Sequence, residues 1–214
     1  MMSSSDKRAK LDAVFALAPV IPVITIDDAA QAVPLARALV AGGLRVIEIT
    51  LRTQAGLDAA RAIINEVPDA VVGIGTVLTP ADYERAANLG AAFAISPGMS
   101  IGLLDAANAG ELPFAPGIQT PSDLIACVTR GYEFVKFFPA VPAGGLAALD
   151  ALAGPFPNVR FCPTGGINAG NAAQWLAHKK VVAIGGSWIA PAADIKAAAW
   201  AAIEQRARDA TTLR

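Results

Sequence analysis

Eight short runs rich in β-branched and aromatic residues punctuate this chain: VIPVITI, VIEIT, VVGIGT, FAIS, PFAP, FVKFF, RFCP and VVAIGG. Longer segments with helical patterning fill the intervals. Alternation of this kind leaves few options besides parallel β/α units, because successive parallel strands need a crossover long enough to return the chain to the same edge. Eight units in succession argue for a single-domain α/β chain folded as a closed (β/α)8 TIM barrel rather than an open sheet. Helices are expected near residues 28–41, 54–66, 80–89, 100–109, 121–130, 144–153, 168–177 and, after a short further piece, 193–208. One barrel domain would then occupy residues 1–214, with an N-terminal helix and tail over 1–18 and a C-terminal helix and tail over 193–214.

Helix punctuation supports the count. Thr79, Pro80 and Asp82 recur as Thr120, Pro121 and Asp123, each set offering an N-cap, a proline in the first turn and an acid at the positive end of the helix dipole. A glycine (Gly90, Gly131) and then a strand-opening phenylalanine (Phe93, Phe134) follow each set. The repetition spans two β/α units and reads as an internal repeat of the architecture.

Composition narrows the chemistry. With 214 residues, 54% of them hydrophobic and 16% charged, the chain can bury one large core without disulfides or metal. Seventeen basic residues against 18 acidic ones leave a net charge of −1 with no basic stripe, so nucleic acid is not an expected partner. No apolar stretch approaches the roughly 18 to 20 residues of a membrane span, and Asp12, Pro19 and Pro22 interrupt any signal-like segment. A soluble, cytoplasmic protein without membrane association is expected. Cys127 and Cys162 have no CxxC spacing and read as reduced, packed thiols. The single histidine, His178, lies in a polar HKK segment, which argues against a histidine-based metal site or triad and leaves general-base work to a carboxylate.

Two charged residues interrupt otherwise apolar strands. Lys136 sits in FVKFFPA, where desolvation should lower its pKa and leave a fraction as free amine able to attack a carbonyl; the alternative is a gatekeeper charge at a strand edge. Alternation in VIEIT turns Ile47 and Ile49 toward the helices and Glu48 and Thr50 toward the barrel interior. A lumenal carboxylate serves either as an acid/base or as the ion-pair partner of Lys136 or Arg52. Arg52 follows in the next loop, where its planar fork can bind a carboxylate, and the Thr76 hydroxyl at the end of GIGT can reach a carboxylate or carbonyl. The glycines around Thr76 lack the GxGxxG spacing of a dinucleotide site. PTGG after the seventh strand and GGSW after the eighth place glycine pairs where barrels commonly cradle phosphate on backbone amides, with Ser187 adding a hydroxyl.

Taken in order, IEITLRT, GTVL, AISPG, KFFPA, GPFPNVRFCPTGG and IGGSW resemble the 2-keto-3-deoxy-6-phosphogluconate (KDPG) aldolase family, a class I aldolase group with a β/α barrel fold. The resemblance runs from about Pro19 to Pro191. It implies that Lys136 is the Schiff-base lysine and Glu48 the acid/base carboxylate, and that Arg52 and Thr76 bind the pyruvate carboxylate. Pro97 and Phe138 match residues lining the pyruvyl pocket, and Thr164 matches the contact to the hydroxyl-bearing carbon beside the cleaved bond. Gly165, Gly166, Gly186 and Ser187 match the phosphate site. Some family members carry arginine where this chain has Thr25, which makes Arg52 the natural carboxylate partner here.

The implied activity is cleavage of a phosphorylated 2-keto sugar acid to pyruvate and glyceraldehyde 3-phosphate by a homotrimer, with no cofactor and no metal because the iminium is the electron sink. Alternatives are 4-hydroxy-2-oxoglutarate (KHG) or another 2-keto acid as main substrate, an isomerase or epimerase on a phosphate-binding barrel, and a catalytically silent sugar-phosphate binder.

Overall fold

Proline, threonine and glycine set the ends of the elements in the computed structural model, which describes residues 4–213. The strands are β1 (Val20–Ile24), β2 (Val46–Thr50), β3 (Val71–Gly75), β4 (Phe93–Ile95), β5 (Phe114–Ala115), β6 (Gly117–Ile118), β7 (Phe134–Phe137), β8 (Arg160–Pro163) and β9 (Ile184–Gly186). The helices are α1 (Ser4–Phe15), α2 (Ala32–Ala41), α3 (Gly56–Glu66), α4 (Pro80–Asn88), α5 (Ile101–Ala109), α6 (Pro121–Val128), α7 (Gly145–Ala153), α8 (Ala172–Leu176), α9 (Ala192–Lys196) and α10 (Trp200–Thr211). Thr79 and Thr120 each close a capping box with the aspartate three residues on, as their sequence pattern predicts, and Gly90 and Gly131 take φ of 82° and 83° just past the helix ends.

All strand pairs are parallel. Hydrogen bonding divides them into a curled six-stranded sheet, ordered β5-β4-β3-β2-β1-β9, and a three-stranded sheet, ordered β6-β7-β8. Both faces of most strands are buried, as a parallel sheet covered by helices requires, so β1, β2 and β7 are closed to solvent throughout. Single bridges Phe161↔Val181 and Thr164↔Gly185 lie between the β8 and β9 edges.

Several sequence expectations change in detail. The strand expected at PFAP shortens to β5, and a second segment, β6, follows beyond Pro116, which has no N–H to continue the ladder; the Pro116 carbonyl still accepts from Lys136 N at 2.9 Å. The helix expected over 168–177 shortens to α8, since the Asn168 and Asn171 side chains accept from the amides of Gly170 and Asn168 and hold the chain in a turn. The alanine-rich C-terminus breaks into α9 and α10 at Ala198, whose φ is +52°. Both parts bury an apolar face, Ile195 on α9 and Ile203, Ala207 and Ala210 on α10. A Cβ on Gly42 would stand 2.5 Å from Ala207 Cβ, so α10 crosses close over the end of α2. Residues 1–3 of the expected N-terminal helix segment and residue 214 of the C-terminal tail lie outside the described residues.

Helix α1 covers the end where the strands begin. Phe15 is fully buried, with its ring centroid 5.1 Å from that of Phe93 and 4.8 Å from that of Phe134. Lys7, 7% exposed, donates to the carbonyls of Ala107 (2.9 Å) and Asn108 (2.8 Å) at the end of α5. Burial pushes its pKa down while the last turn of α5 supplies the negative end of a helix dipole. With that end covered, access to the strands falls to their C-terminal ends. Among the described residues no helix is long and apolar enough to cross a membrane.

Candidate active site

Glu48 and Lys136 meet in the interior. The third residue of β2 and the third of β7 both point inward, and Lys136 Nζ donates to Glu48 Oε1 at 3.1 Å with the two side chains 2% and 3% exposed. The ion pair that the sequence leaves open for Glu48 is thus made with Lys136, not Arg52. Two buried charges persist only when paired, so each holds the other in place. The ammonium also stands 5.5 Å from the centre of the Phe138 ring.

Glycines make the room. A Cβ on Gly75 would stand 2.1 Å from Glu48 Oε1, so the end of β3 must be glycine for the carboxylate to lie across it. Gly117, the register partner of Lys136 on β6, does the same for a neighbouring loop: a Cβ there would meet Pro97 C at 2.3 Å. Buried Ser96 accepts from Gly117 N at 3.1 Å and holds Pro97, half-buried, at the end of β4. On the other side Lys136 is paired with Cys162 of β8. Burial pushes that thiol up to about 12, with Lys136 pulling the other way, so Cys162 is a neutral filler rather than a nucleophile. Both cysteines are free and buried.

At the strand ends, Thr76 adopts φ +60°, a strained conformation for a β-branched residue, and is half-buried just beyond Gly75. Arg52 is exposed and makes no hydrogen bond or ion pair among the described residues, which leaves its fork available to an anion. Phe138, half-buried, donates its amide to Ile118 O at 3.2 Å. Ala140 N and Val141 N donate to Thr164 O (2.8 Å) and Gly165 O (3.0 Å), which stitches the loop after β7 to the loop after β8. Thr164 is 6% exposed, and its buried hydroxyl has only the Cys162 thiol beside it, with no oxygen or nitrogen partner among the described residues. A Cβ on Gly185 would stand 2.2 Å from that oxygen.

Gly165 and Gly166 take φ of 102° and 78°, conformations that other residues adopt only with strain. A Cβ on Gly186 would collide with the Trp188 ring at 2.0 Å. Ser187 is exposed at the end of β9, and the amides of Gly166, Ser187 and Trp188 make no hydrogen bond among the described residues. Free amides on two adjacent turns are what an anion cradle needs. His178 lies apart, bonded to Asp150 at 2.9 Å. Among the described residues no three His, Cys, Asp or Glu side chains gather as a metal site would require.

Sequence reasoning anticipated the lumenal pair and the two glycine turns. It missed Gly75, whose role depends on the neighbouring strand's side chain, and the hydroxyls of Thr25, Thr50 and Thr53, which bond across the β1–β2 seam.

Known proteins resemble this chain over nearly its whole length. The model of the KDPG and KHG aldolase family matches residues 11–206. The KHG/KDPG aldolase of Escherichia coli strain K12 is 49% identical over 203 residues, covering 95% of each chain. The KDPG aldolase of Legionella pneumophila, solved with pyruvate captured at low pH as a covalent carbinolamine intermediate, superposes with a TM-score of 0.92 at 45% identity, covering 94% of this chain and 98% of that one. The KDPG aldolase of Zymomonas mobilis ZM4, solved with 3-phosphoglycerate, gives 0.90 at 43% identity, covering 95% and 96%.

Proposed function

The chain belongs to the KDPG and KHG aldolase family, and from that premise we propose that it is a class I aldolase cleaving 2-keto-3-deoxy-6-phosphogluconate to pyruvate and glyceraldehyde 3-phosphate. The observation that carries the reading is the buried Lys136–Glu48 contact at 3.1 Å, in a fold shared with an enzyme that holds pyruvate covalently.

Passage of a proton from Nζ to Glu48 leaves a free amine on Lys136, which attacks the C2 ketone to give a carbinolamine. Glu48 hands that proton to the carbinolamine hydroxyl, which leaves as water and yields the protonated imine, with the carboxylate regenerated. Glu48, directly or through a water, removes the C4 hydroxyl proton as the C3–C4 bond breaks and its electrons move into the iminium. Glyceraldehyde 3-phosphate departs, the enamine is protonated at C3, and hydrolysis frees pyruvate and Lys136. Arg52 and Thr76 hold the carboxylate, Pro97 and Phe138 line the pyruvyl pocket, and Thr164 meets the C4 oxygen. Gly165, Gly166, Gly186 and Ser187 hold the phosphate.

The two sheets are read as one (β/α)8 barrel, a reading supported by the bridges between the β8 and β9 edges and by the single-residue break at Pro116. A homotrimer in the cytoplasm completes the proposal; exposed Leu78, Ile101 and Ile125 supply apolar surface for a second copy to cover. KHG cleavage is a second reading, favoured by the double name of the Escherichia coli relative. Continuous assay of pyruvate release tests the proposal: the purified protein should release pyruvate and glyceraldehyde 3-phosphate from KDPG in equal amounts, and Lys136→Met should release neither. Turnover by the variant would refute it.

A further inference from the structure

Backbone pairing of β1 with β2 ends at Ile24↔Ile49, yet the seam continues through side chains. Thr50 Oγ1, fully buried, donates to Ile24 O at 2.9 Å. Its one proton is thereby used, so the contact at 3.1 Å between Thr25 Oγ1 and Thr50 Oγ1 has Thr25 as donor. Thr53 Oγ1 donates to Ile26 O at 2.5 Å. On the opposite side Leu51 N donates to Gly75 O at 2.9 Å, and a Cβ on Gly56 would stand 2.5 Å from Thr50 O, so the first turn of α3 is pressed against the end of β2. Every neighbour of Arg52 from Thr50 to Thr53 is therefore tied to a flanking strand or loop, while Arg52 itself has no partner among the described residues.

We propose that Thr25, Thr50 and Thr53 form a hydroxyl strap that holds the Arg52 backbone in register with β1, making them positioning residues for binding the substrate carboxylate. The inference rests on reading Arg52 as the carboxylate-binding cation. A guanidinium recognises a carboxylate through two parallel hydrogen bonds, a geometry that tolerates little displacement of the arginine backbone. Beside the single backbone bond from Leu51 N to Gly75 O, the threonine hydroxyls supply the side-chain bonds that tie this loop to the β1 side. Thr50 and Thr53 act on the loop directly, and Thr25 acts through Thr50.

The test is pyruvate methyl-proton exchange, followed by NMR, on variants checked for folding by thermal denaturation. Thr53→Val keeps the volume and removes the donor, so KM for pyruvate should rise about three- to tenfold, with kcat at saturating pyruvate changed less than about twofold. Thr53→Ser restores the hydroxyl and should return KM to within about twofold of the parent, and Thr25→Val, which spares the Thr50–Ile24 bond, should raise it in the same direction. In an Arg52→Ala background Thr53→Val should add nothing, because the strap acts through that arginine. If Arg52→Ala raises KM but Thr53→Val and Thr25→Val do not, or if their effects persist without Arg52, the strap is overturned. If Arg52→Ala leaves KM unchanged, the carboxylate reading itself fails and the strap with it.

Discussion

Replacing Gly75 by alanine tests the position of the Glu48 carboxylate without touching either charged residue. An alanine Cβ would lie 2.1 Å from Glu48 Oε1 and 2.7 Å from both Cδ and Cγ, while ordinary contact begins near 3.4 Å. The backbone at Gly75 is free of positive φ, so alanine brings no conformational strain of its own. Glu48 is 2% exposed, and it relieves the clash by moving more than about 1 Å, which breaks the 3.1 Å hydrogen bond to Lys136. A displacement of that size at a reacting group costs on the order of a hundredfold in rate, and the overpacking costs about 1 to 3 kcal/mol of stability. The expected result is a folded protein that still forms the pyruvate imine on Lys136 but exchanges pyruvate methyl protons about a hundredfold more slowly. Exchange at the parent rate in folded Gly75→Ala would refute the argument that carboxylate position governs proton transfer.

Four further outcomes follow from other parts of the site and fold. Ser187→Ala removes one hydroxyl and leaves the amides, so binding of phosphorylated substrate should weaken by about 1 to 2 kcal/mol with KHG cleavage unchanged; equal loss on both would place Ser187 outside the phosphate site. Thr164→Val, which removes a buried hydroxyl with no oxygen or nitrogen partner among the described residues, should lower the ratio of kcat/KM for KDPG over its C4 epimer while the Lys136 imine still forms; an unchanged ratio would assign Thr164 to shaping the turn. Thr79→Ala should cost about 1 kcal/mol in urea unfolding at neutral pH. Asp82 adds a pH dependence: burial works against its charge, but bonds from Arg85, Leu78 N and Thr79 outweigh it and lower its pKa. A folded-state value below the unfolded one means stabilisation present at neutral pH and lost as pH falls through the folded value, so Asp82→Asn should flatten the acid limb of the stability profile.

What could be read from residues alone was whatever depends on short stretches of chain. Thr79-Pro80-Asp82 and Thr120-Pro121-Asp123 start helices because a cap is decided within four residues, and Glu48 and Lys136 face inward because strand alternation is local. Details set by distant partners were not legible. The break between α9 and α10 defies the helix propensity of its alanines, because buried Ile195 and the face of α10 packed over Gly42 belong to separate helices. Asn168 and Asn171 spend their side chains on a turn that a helical pattern conceals. Burial of Lys136 was foreseeable from its phenylalanine neighbours, but its partner was a choice between roles that only the fold could bring together. Gly75 and the three strap threonines looked ordinary because their meaning lies across a strand seam.

Borohydride reduction in the presence of pyruvate, followed by peptide mass analysis, tests the central claim most directly. A reduced pyruvyl adduct should appear on Lys136 and on no other lysine, and Lys136→Met should acquire none. An adduct on a different lysine, or none at all in a protein that still cleaves KDPG, would contradict the account.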